Sequence, residues 1–115
     1  MADIDCLFCR IVAGEIPSDR VHEDAEVIAF RDINPQAPTH VLVISRRHIP
    51  SAHELTDDDG DLLARLFGVL QRVADEAGLR EGYRIVTNVG PASGQTVDHL
   101  HFHLLGGRSL SWPPG

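Results

Sequence analysis

Short apolar runs on both sides of one long amphipathic segment predict an α+β fold with a mainly antiparallel sheet. Residues 56–78 repeat apolar side chains at helical spacing, whereas the apolar runs within 41–44 and 83–89 are typical of strands. The chain has 115 residues, 43% of them hydrophobic and 23% charged, which predicts one globular domain over residues 1–115. No apolar run reaches the ~20 residues that cross a bilayer.

The first half of the chain predicts a short helix followed by three strands. Val21 and the run 27–30 are typical of short strands, and residues 32–38 form a predicted loop because they contain two prolines. The run 41–44 is apolar throughout, which predicts a central strand buried on both faces. A short amphipathic helix is predicted before these strands by apolar residues at helical spacing, Leu7, Phe8, Ile11 and Val12.

The long helix is predicted by one apolar stripe and by signals at its two ends. Thr56 and Asp59 have the spacing of an N-terminal cap, and Gly78 is placed to end the helix in a left-handed conformation. Two further strands are predicted after it, at 83–89 and 100–105. The stripe consists of Leu62, Leu63, Leu66, Phe67, Leu70, Val73, Ala74 and Ala77.

Charge and cysteine content narrow the classes of partner and compartment. A surface with a net charge of −7 repels nucleic acids and anionic membranes, so neither is expected as a partner. The N-terminus lacks the basic and apolar regions of a secretory signal, which predicts a cytoplasmic protein. In a reducing compartment Cys6 and Cys9, spaced C-x-x-C, are not expected to form a structural disulfide. They are a metal half-site, a redox pair or two uninvolved thiols.

Three of the seven histidines alternate with apolar residues between positions 99 and 103. In a strand they share one face, and the apolar residues between them can pack on the long helix. This pattern has three interpretations: a half-exposed polar face, a three-histidine metal site without a nearby carboxylate, or nucleophilic catalysis at phosphorus. The small residues at 90–95 and the Thr96 hydroxyl favour catalysis, because the backbone N–H groups of such a turn can bind an anion.

The segment His-Leu-His-Phe-His-Leu-Leu at 99–105 matches the signature of the histidine triad (HIT) superfamily. Residues 32–40 resemble the nucleotide-binding loop of that superfamily, and residues 94–97 resemble its segment ahead of the triad. The ending Trp-Pro-Pro-Gly at 112–115 resembles the HINT branch, the histidine-triad nucleotide-binding proteins. The resemblance extends over nearly the whole chain.

The resemblance implies a fold and an activity. The implied fold has five mainly antiparallel strands, one long helix and a short N-terminal helix, and its homodimer joins two sheets into one of ten strands. The implied activity is hydrolysis of purine nucleoside phosphoramidates at the α-phosphorus through a covalent nucleotidyl-histidine, which needs no metal. The alternatives are a dinucleoside polyphosphate hydrolase and a nucleotide-binding or scaffolding module with incidental turnover.

The resemblance also implies roles for individual residues. His101 would be the nucleophile, and the main-chain carbonyl of His99 would accept its other ring N–H. His103 would hydrogen-bond the phosphate or bridging atom, with His40 as a supporting residue. The walls of the base pocket would be the apolar residues Phe8, Ile11, Phe30 and Ile33, and Asp32 would bind the ribose. The phosphate loop would contribute Asn88, Gly94, Gln95 and Thr96, of which Thr96 would also be catalytic. Trp112 would reach the nucleotide from the partner subunit.

A structural zinc ion is the last implication of the resemblance. Many bacterial histidine-triad proteins and the related uridylyltransferases bind zinc through an N-terminal C-x-x-C pair, a distant histidine and the first triad histidine. The matching residues here are Cys6, Cys9, His48 and His99. Four nitrogen and sulfur ligands would close a tetrahedral, non-catalytic site. Such a site would tie the N-terminal helix to the strand of the nucleophile.

Overall fold

Five strands form one sheet in the computed structural model, which describes residues 5–115. They are β1 (Arg20–Glu23), β2 (Val27–Arg31), β3 (Thr39–Ser45), β4 (Tyr83–Val86) and β5 (His101–Gly106). The strand order is β1-β2-β3-β5-β4, and all four pairings are antiparallel. The predicted α+β class is therefore confirmed. The helices are α1 (Leu7–Val12) and α2 (Gly60–Glu76), with 3₁₀ turns at Ala52–Glu54, Asp57–Asp59 and Pro91–Ser93.

The central strand β3 is buried on both faces, as predicted, because the two helices lie on opposite sides of the sheet. Val41 and Val43 belong to the apolar cluster that includes α2. Leu42 and Ile44, at the alternate positions, belong to a second apolar cluster that includes residues of α1. The same alternation in β5 sends Phe102 and its apolar neighbours toward α2. It sends the histidines toward α1.

The ends of α2 follow the predicted signals. Thr56 and Asp59 form a reciprocal capping box around the 3₁₀ turn that leads directly into the helix. Gly78 adopts a φ of 71° just after the helix, a left-handed conformation that favours glycine.

The apolar stripe of α2 is narrower than predicted at its edges. Leu63 and Phe67 are 36% and 39% exposed, and Ala77 is also exposed. Val69 is buried instead, at 2% exposure. The Phe67 ring still contacts Phe102, with ring centroids 5.5 Å apart. Three of the eight predicted stripe residues therefore lie at the boundary of the core rather than inside it.

The strand predicted at 83–89 ends at Val86. The hydroxyl of Thr87 donates to the main-chain carbonyl of His101 at 2.8 Å, so a side chain occupies an acceptor that a longer ladder would use. The last strand begins at His101, one residue later than predicted. Leu100 is not yet part of the sheet, because its N–H donates to the carbonyl of Ile49 at 2.6 Å.

Asp24 connects the β1–β2 turn to α2. One carboxylate oxygen accepts hydrogen bonds from His22 Nε2 at 2.7 Å and from Arg65 Nε at 2.9 Å. The other accepts the backbone N–H groups of Glu26 and Val27 at 2.8 and 2.9 Å. These hydrogen bonds outweigh burial and lower the pKa of Asp24 well below its usual value. His22, for which the sequence predicted no role, is part of this structural group.

Helix α2 is the longest helix of residues 5–115, with 17 residues. Neither it nor any other helix in that range has the length and apolar character that a membrane span requires. The prediction about a secretory signal concerns residues 1–4, which lie outside the described residues.

Candidate active site

The three triad histidines lie on the α1 side of the sheet at different depths. His99 is fully buried, His101 is 6% exposed and His103 is half-buried. The ring of Phe8 from α1 meets the His101 ring edge to face, with centroids 5.0 Å apart. The imidazoles are therefore largely shielded from solvent, because α1 packs over the face of the sheet that carries them.

Hydrogen bonding determines the tautomer of His101. Its Nδ1 lies 2.6 Å from the carbonyl oxygen of His99, and a carbonyl can only accept, so Nδ1 carries the proton. Burial lowers the pKa of His101, which keeps the ring neutral around pH 7. The remaining nitrogen, Nε2, then has a free lone pair. A bare imidazole nitrogen held in one orientation is what a nucleophile requires.

His103 belongs to a second group, which reaches into the loop at 32–38. The Nδ1 of His103 lies 2.9 Å from Nε2 of His40, and Asp32 Oδ2 lies 3.5 Å from the same His40 nitrogen. Their nitrogen and oxygen atoms all lie within 4.8 Å of one another, so a carboxylate does lie beside the triad, contrary to the expectation from the sequence. The short distance between the two imidazole nitrogens is that of an N–H···N hydrogen bond.

Burial determines the charge state of this second group. It lowers the pKa of His40, and the nearby Asp32 carboxylate only partly opposes this effect. It lowers the pKa of His103 to about 4, with smaller contributions in the same direction from His101 and His40. Both imidazoles are therefore neutral near pH 7. The group acts through oriented N–H bonds and lone pairs rather than through a positive charge.

Cys6, Cys9, His48 and His99 come together although they are distant in sequence. Their sulfur and nitrogen atoms lie within 4.8 Å of one another. Cys9 Sγ is 3.2 Å from His48 Nδ1, and Cys6 Sγ is 3.4 Å from His99 Nδ1. The residue before α1 thus contributes one sulfur and the first turn of α1 contributes the other. Two sulfurs and two imidazole nitrogens are a donor set that tetrahedral zinc prefers.

The surroundings of this cluster fit a metal. His99 Nε2 donates to the main-chain carbonyl of Ser45 at 2.6 Å, so His99 Nδ1 is bare and faces the sulfurs. Burial raises the pKa of the Cys6 thiol, so a metal would have to displace its proton. The main-chain carbonyl of His99 still accepts from His101. His99 therefore connects the cysteine–histidine cluster to the candidate nucleophile His101.

The triad does not converge on a single metal. Within residues 5–115, His99 groups with the cysteines and His103 groups with Asp32 and His40, while His101 belongs to neither set. The interpretation of a three-histidine metal site is therefore wrong. The three triad imidazoles instead lie in three different environments: beside the cysteines, beside Asp32 and His40, and in neither group.

Several N–H groups of the turn before the triad are hydrogen-bonded within the turn. The N–H groups of Ser93, Gly94 and Gln95 donate to carbonyls within the turn, at 3.1 to 3.3 Å. The side chain of Gln95 accepts from the Gly90 N–H at 2.8 Å and donates to the carbonyl of Pro50 at 2.8 Å. Gly94 and Gln95 thus use these groups to stabilise the loop, and their contact with a phosphate stays a prediction. Among the predicted loop ligands, Thr96 is exposed and Asn88 is half-buried.

The predicted base-pocket walls separate into two kinds. Phe8, Ile11 and Phe30 are at most 6% exposed and belong to the same apolar cluster under α1. Ile33 is fully exposed and does not pack with them. Trp112 is 81% exposed in the single chain. The first three are thus buried in the core beneath α1, whereas Ile33 and Trp112 are exposed to solvent, and the contact of all five with a nucleotide stays a prediction.

Asp32 is held at the start of the loop by its own backbone and side chain. Its N–H donates to the carbonyl of His40 at 3.0 Å, and its Oδ1 accepts the N–H of Asn34 at 2.8 Å. Two residues with no predicted role also act on this site: the N–H of Gln36, within the loop, donates to His40 Nδ1, and the guanidinium of Arg108 donates to the carbonyl of Gln36. The residue type of Gln36 gave no signal, because its main-chain N–H and carbonyl are groups that nearly all residues share.

Comparisons with known proteins agree with this geometry. The family model of the HIT domain matches residues 13–110. The chain is 53% identical over 111 residues to an uncharacterised HIT-like protein of Synechococcus elongatus, covering 96% of this chain and 97% of that one. The crystal structure of a HIT family hydrolase from Legionella pneumophila has 51% identity and a TM-score of 0.94, covering 96% of this chain and 99% of that one. A histidine triad protein from Clostridium difficile has 42% identity and a TM-score of 0.92, with 96% and 97% covered. The chain belongs to the HIT domain family.

Proposed function

We propose that this protein is a hydrolase of purine nucleoside phosphoramidates that acts through His101. The observation that carries the proposal is the hydrogen bond from His101 Nδ1 to the His99 carbonyl, which leaves Nε2 bare. Membership of the HIT domain family supports the assignment. So does the description of the Legionella relative as a hydrolase.

The proposed reaction has two displacements at phosphorus. In the first, a bond forms from His101 Nε2 to phosphorus while the bond from phosphorus to the leaving nitrogen breaks, and that nitrogen departs as an amine after protonation by water. In the second, a water oxygen attacks phosphorus while the bond from phosphorus to Nε2 breaks, the imidazole recovers its lone pair, and the proton of the attacking water passes to the hydroxide that the first step left. Together the steps consume one water and release an amine and a nucleoside monophosphate. The His99 carbonyl stabilises the cationic ring of the intermediate, because it accepts a hydrogen bond from Nδ1–H throughout.

The surrounding residues have proposed roles in binding. Asp32 binds the ribose hydroxyls as a hydrogen-bond acceptor, and the exposed Ile33 covers the base. His103 and Thr96 donate to the phosphate and the leaving group. The roles of Asp32 and His103 are supported by position, since Asp32 lies 3.5 Å from His40, which in turn bonds His103. Donors held around a developing charge contribute more than donors that must reorganise.

A matched pair of histidine variants tests the proposal. Adenosine 5′-phosphoramidate is given to the wild type, to His101→Ala and to His53→Ala, whose histidine is exposed. Loss of the nucleophile is expected to lower kcat by at least about 10³-fold, whereas His53→Ala keeps the wild-type rate. An unchanged rate in His101→Ala would contradict the proposal. Faster turnover of diadenosine polyphosphates would favour the polyphosphate hydrolase, and tight AMP binding without turnover would favour a binding module.

We also propose that Cys6, Cys9, His48 and His99 bind one structural zinc. Zinc would supply no step of the reaction. It would hold α1 against the segment that carries the His99 carbonyl. Metal analysis of protein purified without added zinc should find about one zinc per chain. His48→Ala should weaken retention against a chelator, whereas His53→Ala should not, and a wild-type stoichiometry near zero would contradict the site.

The third proposal is a homodimer that extends the sheet. β4 lies at one edge of the strand order, where its outer backbone groups are available to a second copy. Pairing of two such edges would give ten strands and would allow the exposed Trp112 to approach the partner's site. Sedimentation at micromolar concentration should give about twice the chain mass of 12.6 kDa. A monomer under these conditions would contradict the proposal.

A further inference from the structure

A chain of hydrogen bonds connects the C-terminal segment to the triad. Arg108 donates to the main-chain carbonyl of Gln36 through Nε at 3.2 Å and through Nη2 at 3.0 Å. The N–H of Gln36 donates to His40 Nδ1 at 3.0 Å. His40 Nε2 lies 2.9 Å from His103 Nδ1. The backbone of Gln36 is therefore held at its carbonyl by Arg108 and bound at its amide to a histidine of the site.

The direction of each bond in this chain follows from elementary donor rules. A backbone N–H can only donate, so His40 Nδ1 must accept and carries no proton. The neutral His40 ring then carries its proton on Nε2, which is the atom that faces His103 Nδ1. That nitrogen must accept in turn, so the proton of His103 lies on Nε2. A protonated His40 would place an N–H against the N–H of Gln36 and is excluded by the same contact.

We infer that the Gln36 amide, held in place by Arg108, sets the tautomers of His40 and His103, so that His103 meets the substrate as a neutral Nε2–H donor. The inference rests on the proposed function and refines it. His103 stabilises the phosphate and the leaving group by hydrogen bonding rather than by giving up a proton. Arg108 and Gln36 are positioning residues that act through His40 and do not touch the substrate.

The close contact between two turns supports this role for Arg108. Gly107 precedes it with a φ of 89°, and a Cβ built there would lie 2.9 Å from Cβ of Pro38. The turn after β5 therefore sits directly against the end of the loop at 32–38. Arg108 reaches Gln36 from this turn. The conformation of the loop and the orientation of its amide are thus linked to the C-terminal segment.

Histidine nitrogen NMR tests the inference without substrate. Two-bond proton–nitrogen correlations at pH 7 identify which ring nitrogen bears the proton, and variants of each histidine assign the signals. The wild type should show His40 and His103 both protonated at Nε2 and bare at Nδ1. Gln36→Pro removes the amide donor and should change the tautomer populations of both rings. Gln36→Ala keeps the amide and should change neither.

Kinetics of Arg108 variants provide the second readout. Arg108→Gln should lower kcat about 3- to 10-fold with KM within about twofold, the effect of one weakened hydrogen bond, and should broaden or shift the His103 signals. Arg108→Lys should retain part of the activity. Arg31→Gln, which removes an exposed arginine paired with Asp19, should match the wild type.

The outcomes separate the inference from the proposed function. A proton on Nδ1 of His103 in the wild type would overturn the inference. So would Arg108→Gln that leaves both tautomers and kcat unchanged, and this variant decides the matter if Gln36→Pro fails to fold. Wild-type protein with the expected tautomers and no phosphoramidate turnover would overturn the proposed function and leave the tautomer assignment standing.

Discussion

Replacing Phe8 by alanine tests how strongly α1 stabilises the site. The Phe8 side chain is 5% exposed, and its ring centroid lies 5.0 Å from His101, 5.7 Å from Phe30 and 6.0 Å from His99. Removing a buried phenylalanine costs about 3–5 kcal/mol, which includes the cavity that it leaves. A domain of this size has about 5–15 kcal/mol of stability, so the variant should remain folded but clearly weakened. Its kcat should also fall, because the edge-to-face contact that orients His101 is lost.

Phe67→Ala is the matched control on the other face of the sheet. Phe67 is 39% exposed and contacts the ring of Phe102, so the same scale gives a loss of about 2–3 kcal/mol. Urea denaturation at pH 7, followed by circular dichroism on samples of equal metal content, measures both variants, and kcat is measured on the same preparations. A loss in Phe8→Ala no greater than in Phe67→Ala, or an unchanged kcat, would refute the reasoning.

Three further predictions concern charge, protonation and backbone conformation. Asp24→Asn should cost about 1.5–3 kcal/mol at pH 7 in urea denaturation. Its lowered pKa stabilises the fold above the ordinary value of about 3.9, so the deficit should shrink as the pH falls below that value, and a constant deficit would contradict the assignment. Because burial lowers the pKa of His103 to about 4, its ring signals in NMR should stay constant from pH 7 to about 5.5 and titrate toward pH 4, as protonation of Nδ1 breaks its hydrogen bond. A titration centred on the ordinary pKa of about 6.5 would count against this assignment. Gly107→Ala should destabilise the fold by about 1–3 kcal/mol, because Gly107 has a positive φ and a Cβ there would meet Pro38. Gly68→Ala should stabilise it by up to about 1 kcal/mol, because Gly68 lies inside α2 and a Cβ there would have no atom within 4 Å. Thermal unfolding that ranks the two variants in the opposite order would refute this reasoning.

The period of two in strands made the α1-facing set of side chains predictable. Alternation alone placed His101 and His103 on one face, and the same rule explains why His40 joins them from β3. The burial of that face was not predictable from alternation. It depends on α1 folding back over the sheet, which is a long-range contact that no local pattern contains.

Other features depend on the hydrogen-bond partner that a polar group takes, which the sequence does not show. The end of β4 is determined by a hydroxyl of Thr87 that captures a carbonyl, and the role of Gln95 is determined by the direction of its amide toward Pro50. The positioning of His40 comes from a backbone amide at Gln36. Each of these is a choice among partners that only the assembled structure makes.

The stereochemical course at phosphorus tests most directly whether the reaction passes through His101. The wild type hydrolyses an adenosine 5′-phosphorothioamidate of known configuration in ¹⁸O-labelled water, and the configuration of the product is read by ³¹P NMR. Two in-line displacements, first by the imidazole and then by water, predict net retention. Net inversion would mean that water attacks phosphorus directly, and the assignment of His101 as nucleophile would then be wrong.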